Sequence, residues 1–233
     1  ECQVILQPNR ETGTLLKLNV ARPDARVKIE VTPVLRGTVY EPVTRAIQPQ
    51  VEARFGFAEV TVLSFNDLYA GKLCATLDRQ HPRDLYDTLI LLDNEGISRD
   101  LMRAFIVYLL GHNRPIAELL APRAKSLSEV YASEFTGMAI DEVGVKVLED
   151  TLPRLVDTLR ASLTDEDRAF LLSFKEGIPD WEHLELPHIK LLPSIRWKLM
   201  NLERMNKRKR GEAITKLEAV LYGTRILVIS APH

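Results

Sequence analysis

The stretch SFNDLYAGKLCATLDRQHPRDLYDTLILLD, residues 64–93, decides how the rest of the chain is read. Ser64 followed by Asp67 is a helix-start pattern in which each side chain satisfies an orphan backbone N–H. Tyr69, Leu73 and Leu77 then recur on one apolar stripe, while Lys72 and Arg79, close to two helical turns apart, project from a common side. Pro82 lacks an amide proton and disfavours helix at His81, so the chain breaks there and restarts with Pro82 in the first turn of a new helix. On that helix Asp87 stands beside Arg83 and Asp84 at i+4 and i+3 spacing. One lysine, two arginines and two aspartates therefore gather at a single kink.

Residue types alone favour a solvated helix pair whose ion pairs contribute about 0.3–0.5 kcal/mol each. Gly71 argues for more, because glycine inside a helix costs about 1 kcal/mol relative to alanine. Its presence predicts a close approach to the backbone beside Lys72. The order of residues is the stronger signal. Lys72, Ala75, Arg79, Pro82-Arg83-Asp84 and Tyr86-Asp87, within DLYAGKLCATLDRQHPRDLYD, resemble the helical signature of the AbiEii/AbiGii toxin family, a branch of the DNA polymerase beta-like nucleotidyltransferase superfamily.

Upstream, GTLLKLNV (residues 13–20) and VKIEVTPV (residues 27–34) each alternate apolar and polar residues, and ARPDAR lies between them. Pro-Asp between two such runs predicts an antiparallel hairpin. In the matching register, Val27, Ile29, Leu18 and Val20 share a core face, and Lys17, Asn19, Lys28 and Glu30 share an open one. By the resemblance, KIEV is the strand on which polymerase-beta-type enzymes carry a third metal-binding carboxylate, here Glu30. Such enzymes hold two divalent cations between carboxylates and the triphosphate. The partner Asp-x-Asp pair, after a Gly-Ser or Gly-Gly turn, has no match in residues 1–29, where Asp24 stands alone and Gly13 precedes no acidic pair. The chain also begins at Glu1, and the expectation is that the N-terminus of a longer protein is missing. A chain with this sequence alone is expected to be a poor catalyst.

The 233 residues, 45% hydrophobic and 27% charged, suit a globular protein of one large or two small domains. With 31 basic against 32 acidic residues there is no global attraction to a polyanion, so any such site is local. Two cysteines, Cys2 and Cys74, make a disulfide framework and a cysteine-based zinc site poor readings and fit a reducing cytoplasm. The longest apolar runs, such as FIVYLL (residues 105–110), fall short of the roughly 20 residues a bilayer span needs.

Further along, EVTVLS reads as a strand leading into the kinked pair, and residues 40–63 otherwise carry Pro42 and Pro49. Gly96 stops the second helix, and residues 99–111 form a third. His112-Asn113-Arg114-Pro115 is a structural loop into IAELLAP. Residues 141–163 predict one long helix bent at Pro153. Thr164 and Asp167 open a capped helix closed by Gly177, and two further helices run to about Leu221. His183 and His188 lack helical spacing and read as loop residues. Lys207-Arg208-Lys209-Arg210 reads as a solvated helix face, with RNA phosphate contact the alternative. YGTRILVISAPH at the C-terminus does not resemble the family.

These readings predict an α+β fold. Residues 1–63 are the remnant of a mixed nucleotidyltransferase sheet; residues 64–221 form a domain of about six to eight helices set by the 3.6-residue pattern; residues 222–233 are an atypical tail. The resemblance implies a cytoplasmic toxin of a toxin–antitoxin or abortive-infection system that uses Mg²⁺ to transfer a nucleotide from a nucleoside triphosphate to an acceptor, tRNA. It further implies that Glu30 holds metal and that Lys72 contacts the triphosphate. Arg79 and Arg83 then bind nucleotide, with Asp84 and Asp87 holding the cations in place. The implied partners are a nucleoside triphosphate, tRNA and an antitoxin protein, with no membrane. The alternative is a degenerate relative that binds nucleotide, RNA or antitoxin without transfer.

Overall fold

The computed structural model describes residues 2–8, 15–30 and 37–223. Backbone contacts divide the chain into two units, residues 1–37 and residues 38–233.

The first unit is an antiparallel sheet of β1 (Gln3–Pro8), β2 (Leu15–Arg22) and β3 (Ala25–Glu30), in that spatial order. The predicted hairpin forms in the matching register, with Lys17 opposite Glu30, Leu18 opposite Ile29 and Val20 opposite Val27. Arg22 steadies the turn by donating to both Asp24 oxygens, at 3.0 and 2.8 Å. The face expected to be core is open: Val27 and Ile29 are 54% and 46% exposed. A single sheet layer buries an apolar face only against a second layer, and the described residues of this unit supply none.

The second unit opens with β4 (Val43–Ala46), α1 (Pro49–Phe55) and β5 (Glu59–Val62), the two strands pairing antiparallel. Only β5 was legible as a strand. Pro49 begins α1, where its missing N–H costs nothing. Then come α2 (Phe65–Arg79), α3 (Pro82–Asn94), α4 (Arg99–Leu110), α5 (Ile116–Leu120), α6 (Ser128–Glu134), α7 (Val145–Ser162), α8 (Asp165–Glu176), α9 (Pro193–Glu203) and α10 (Lys207–Tyr222). Among the described residues, nine helices thus follow residue 64, where six to eight were expected. The protein is α+β, and no helix among the described residues is long and apolar enough to cross a membrane.

Several helix ends have a local cause. Ser98 and Thr164 accept from the N3 amides of α4 and α8, and Thr164 with Asp167 forms a complete capping box. Gly177, at φ 89°, takes the left-handed turn that ends α8. α7 is shorter than predicted: it starts after Gly144 rather than at Asp141, and it carries Pro153 inside. Its stripe Leu148, Leu152, Leu155 and Leu159 is buried as the spacing requires. Residues 224–233, most of the atypical C-terminal stretch, lie outside the described residues.

The buried apolar core runs from Val39 to Leu221 and lies within the second unit. α2 packs along α4, α3 along α7, and α8 against α10. Phe105, Phe170 and Phe174 are its largest fully buried side chains. Trp181, in a turn after α8, meets the rings of Phe170 at 5.6 Å and Phe174 at 6.3 Å between centroids, separations at which tilted and edge-on rings attract.

Asp67 is the polar anchor of this core. It is fully buried. The predicted cap forms on one side only: the Ser64 hydroxyl accepts from the Asp67 amide at 3.0 Å. The Asp67 carboxylate turns elsewhere, accepting from the Val39 and Tyr40 amides at 2.7 and 2.9 Å, the Ser64 hydroxyl at 2.7 Å and the Tyr108 hydroxyl at 3.0 Å. It thereby ties the segment before β4, the start of α2 and the end of α4 together. Tyr40 in turn donates to the Asp100 carbonyl at 3.1 Å. Burial, with the Asp100 charge, pushes its phenol up to about 12.

Candidate functional site

The kink between α2 and α3 forms as its sequence demands. Gln80 adopts the left-handed conformation, at φ 55°, and Pro82 occupies the first turn of α3 with His81 as its cap. The strained Gln80 backbone is held by its side chain, which donates to the Arg123 carbonyl and accepts from the Lys125 amide, both at 2.8 Å. The two helices are then fastened by buried hydroxyls. Thr76 and Thr88 lie 2.8 Å apart, and both donate to the Asp84 carbonyl, at 3.0 and 2.9 Å.

That fastening sets the charged residues face to face. Lys72 of α2 forms an ion pair with Asp87 of α3, both side chains being partly exposed. Arg79 pairs with Asp84 at 2.8 Å. The second Asp84 oxygen, Oδ2, is buried without a hydrogen-bond partner. Arg83, more than half exposed, lies 4.0 Å from Glu134, and His81 lies 3.2 Å from the same carboxylate. A depression of about 400 Å³ is lined by Arg79, His81, Arg83, Asp84 and Asp87; Lys72 sits at the ion pair beside it rather than in its wall.

The structure therefore brings together Lys72, Arg79, Arg83, Asp84 and Asp87 and adds His81 and Glu134. His81 is signalled by its place before Pro82. Glu134 is reached from a position 53 residues further along the chain, which no local spacing reveals. The approach expected at Gly71 is the ring of Tyr108, and a Cβ added there would lie 3.5 Å from it, at ordinary contact distance.

Glu30 is the last residue of β3, in the first unit, opposite Lys17. Among the described residues no group of three or more His, Cys, Asp or Glu is placed to hold a metal ion. His183 lies 3.5 Å from Asp180, and His188 bonds the Val39 carbonyl at 2.7 Å, so both histidines serve turns. His112 is likewise structural, its Nδ1 accepting from the Arg114 amide at 3.2 Å.

A helical surface that sets paired cations beside carboxylates, downstream of a small antiparallel sheet, is the arrangement the sequence resemblance implied. The comparison with family models agrees: the model described as "Nucleotidyl transferase AbiEii toxin, Type IV TA system" matches residues 3–201. The chain belongs to that family. Membership implies a nucleotidyltransferase toxin of a toxin–antitoxin system. The match begins ahead of the hairpin and ends within α9, so α10 lies beyond it. No curated protein and no solved structure matches the chain.

Proposed function

We propose that the α2–α3 junction grips the phosphates of a nucleoside triphosphate during transfer of a nucleotide to a tRNA acceptor. The observation that supports this reading is the pairing of Lys72 with Asp87 and of Arg79 with Asp84 across one kink. In the reaction an acceptor hydroxyl oxygen forms a bond to the α-phosphorus and gives up its proton to solvent, the bond from that phosphorus to the bridging oxygen breaks, and pyrophosphate leaves with the negative charge. Lys72 exchanges part of its contact with Asp87 for that developing charge, where preorganised cations stabilise a transition state more than a ground state. Arg79 and Arg83 orient the remaining phosphates. Asp84 and Asp87 hold the cations in position when no phosphate is present.

Mg²⁺, when bound, supplies charge neutralisation at the transferring phosphoryl group. The described residues do not themselves form such a site, so in this reading Glu30 is one ligand of a set completed outside them. That same observation supports a second reading, a relative that binds nucleotide, RNA or a cognate antitoxin without transfer.

Incubation of the protein with each α-labelled nucleoside triphosphate, tRNA and Mg²⁺ separates the two. Labelled tRNA from the parent chain supports transfer, and Lys72→Ala is expected to reduce labelling by about 10²-fold, the loss typical of one transition-state electrostatic contact. Glu30→Ala is expected to abolish it. Equal labelling by the parent and Lys72→Ala overturns the site; triphosphate binding in calorimetry with no labelling selects the second reading.

A further inference from the structure

Away from the kink, α5, α8 and α10 enclose a small cavity of about 130 Å³ whose charged lining is Lys175, Lys209, Lys216, Glu118 and Glu212. Lys175 is the unusual member. It is only 9% exposed, and no hydrogen bond or ion pair reaches its ammonium group among the described residues.

Its surroundings are cationic. Arg210 lies near enough to oppose its charge, and burial together with Arg210 lowers the Lys175 amine below its ordinary range. Lys198, close by, is brought down to about 8 by burial and by Lys175. No carboxylate offsets either shift. The two acids in the wall each have an arginine partner, Glu118 with Arg114 at 3.4 Å and Glu212 with Arg208 at 3.7 Å. Arg210 donates its own N–H groups to the carbonyls of Glu176 and Leu202, which anchors the guanidinium and leaves its charge uncompensated.

Lys175, its stem buried, shares this corner of the fold with the cations Arg210 and Lys198, and like charges held close repel one another. What the cluster lacks is an anion. We propose that the cavity between α5, α8 and α10 is a binding site for a single phosphate group, held by the largely buried Lys175 and by the exposed Lys209 and Lys216 of its lining. The volume is enough to admit a phosphate group. Lysines serve phosphate as point charges that need no planar fork. The basic run at the start of α10 therefore has one member, Lys209, turned to a cavity rather than only to solvent.

Thermal unfolding of the whole chain with increasing inorganic phosphate, at constant ionic strength, tests this. A ligand that binds only the folded state raises the melting temperature in a dose-dependent way. The rise is expected in the parent and in a Lys72→Ala, Arg79→Ala, Arg83→Ala background, in which the kink no longer contributes and the cavity variants are compared. Lys175→Met keeps the buried stem; it is expected to lose the response, and Lys209→Ala and Lys216→Ala each to weaken the apparent affinity by about tenfold, the equivalent of one lost contact of about 1.4 kcal/mol. Lys209 and Lys216 are exposed, so their variants test the site even if Lys175→Met does not fold. A short uridine oligonucleotide without terminal phosphates is added as competitor: competition assigns the site to a nucleic-acid phosphodiester, and none assigns it to free phosphate or a monoester. No phosphate response in the parent, or an equal response in the parent and all the lysine variants, overturns the proposal.

Discussion

Asp67 illustrates what a single residue settles. The spacing of Ser64 and Asp67 marked the start of α2, but the carboxylate bonds amides 27 and 28 residues earlier rather than the backbone N–H of Ser64. The start was legible because it depends on neighbours three apart; the tertiary bonds were not, because nothing local encodes residues 39, 40 and 108. Asp67→Ala would leave two N–H groups unsatisfied, one of them buried, at about 1–3 kcal/mol each. Urea unfolding is expected to show a loss of about 2–6 kcal/mol from that sum. Gly71 gives the opposite sign. Since a Cβ there meets Tyr108 at 3.5 Å, Gly71→Ala is expected to raise stability by up to about 1 kcal/mol through helix propensity, read by the same measurement.

Elements with a repeating apolar stripe were read from the sequence, and those without one were not. α2, α3, α4, α8 and α9 fell close to where caps or apolar spacing placed them, since each buries one face. β4 and α1 escaped notice. They are four and seven residues long, bury no side chain and so display no period; Pro42 and Pro49 made the region resemble a loop, although Pro49 marks a helix start. The joint between α4 and α8 was equally hidden. Arg99, at the start of α4, donates to both oxygens of fully buried Asp167, at 2.5 and 2.9 Å, and the same carboxylate closes the capping box of α8. Asp167 was legible as a cap, Arg99 as its partner was not. Removing the cation leaves a buried carboxylate uncompensated, so Arg99→Ala is expected to destabilise by about 3–5 kcal/mol, measurable in chemical denaturation as a lower midpoint at unchanged slope.

At the scale of the whole molecule, the kink cluster was legible because its members span Lys72 to Asp87, within reach of helical arithmetic. The open apolar face of the first unit was not: alternation says which side chains share a face, never whether anything covers it. The core, in contrast, is gathered between Val39 and Leu221. A fragment of residues 38–223 is therefore expected to fold by itself, with helical circular dichroism and cooperative melting. A fragment that melts without a transition would mean that this core is insufficient alone. Residues 2–30 expressed separately are expected to give no cooperative transition, since a three-stranded sheet with an uncovered face is marginal in water.

The ring cluster around Trp181 makes the interior observable by light. That indole sits between two phenyl rings, whereas Trp197, the other tryptophan, is half exposed on α9. With Trp197 replaced by phenylalanine, the emission of the chain reports a single spot where the helix after Thr164 meets its turn, and any event that loosens that spot becomes a red shift readable in a cuvette.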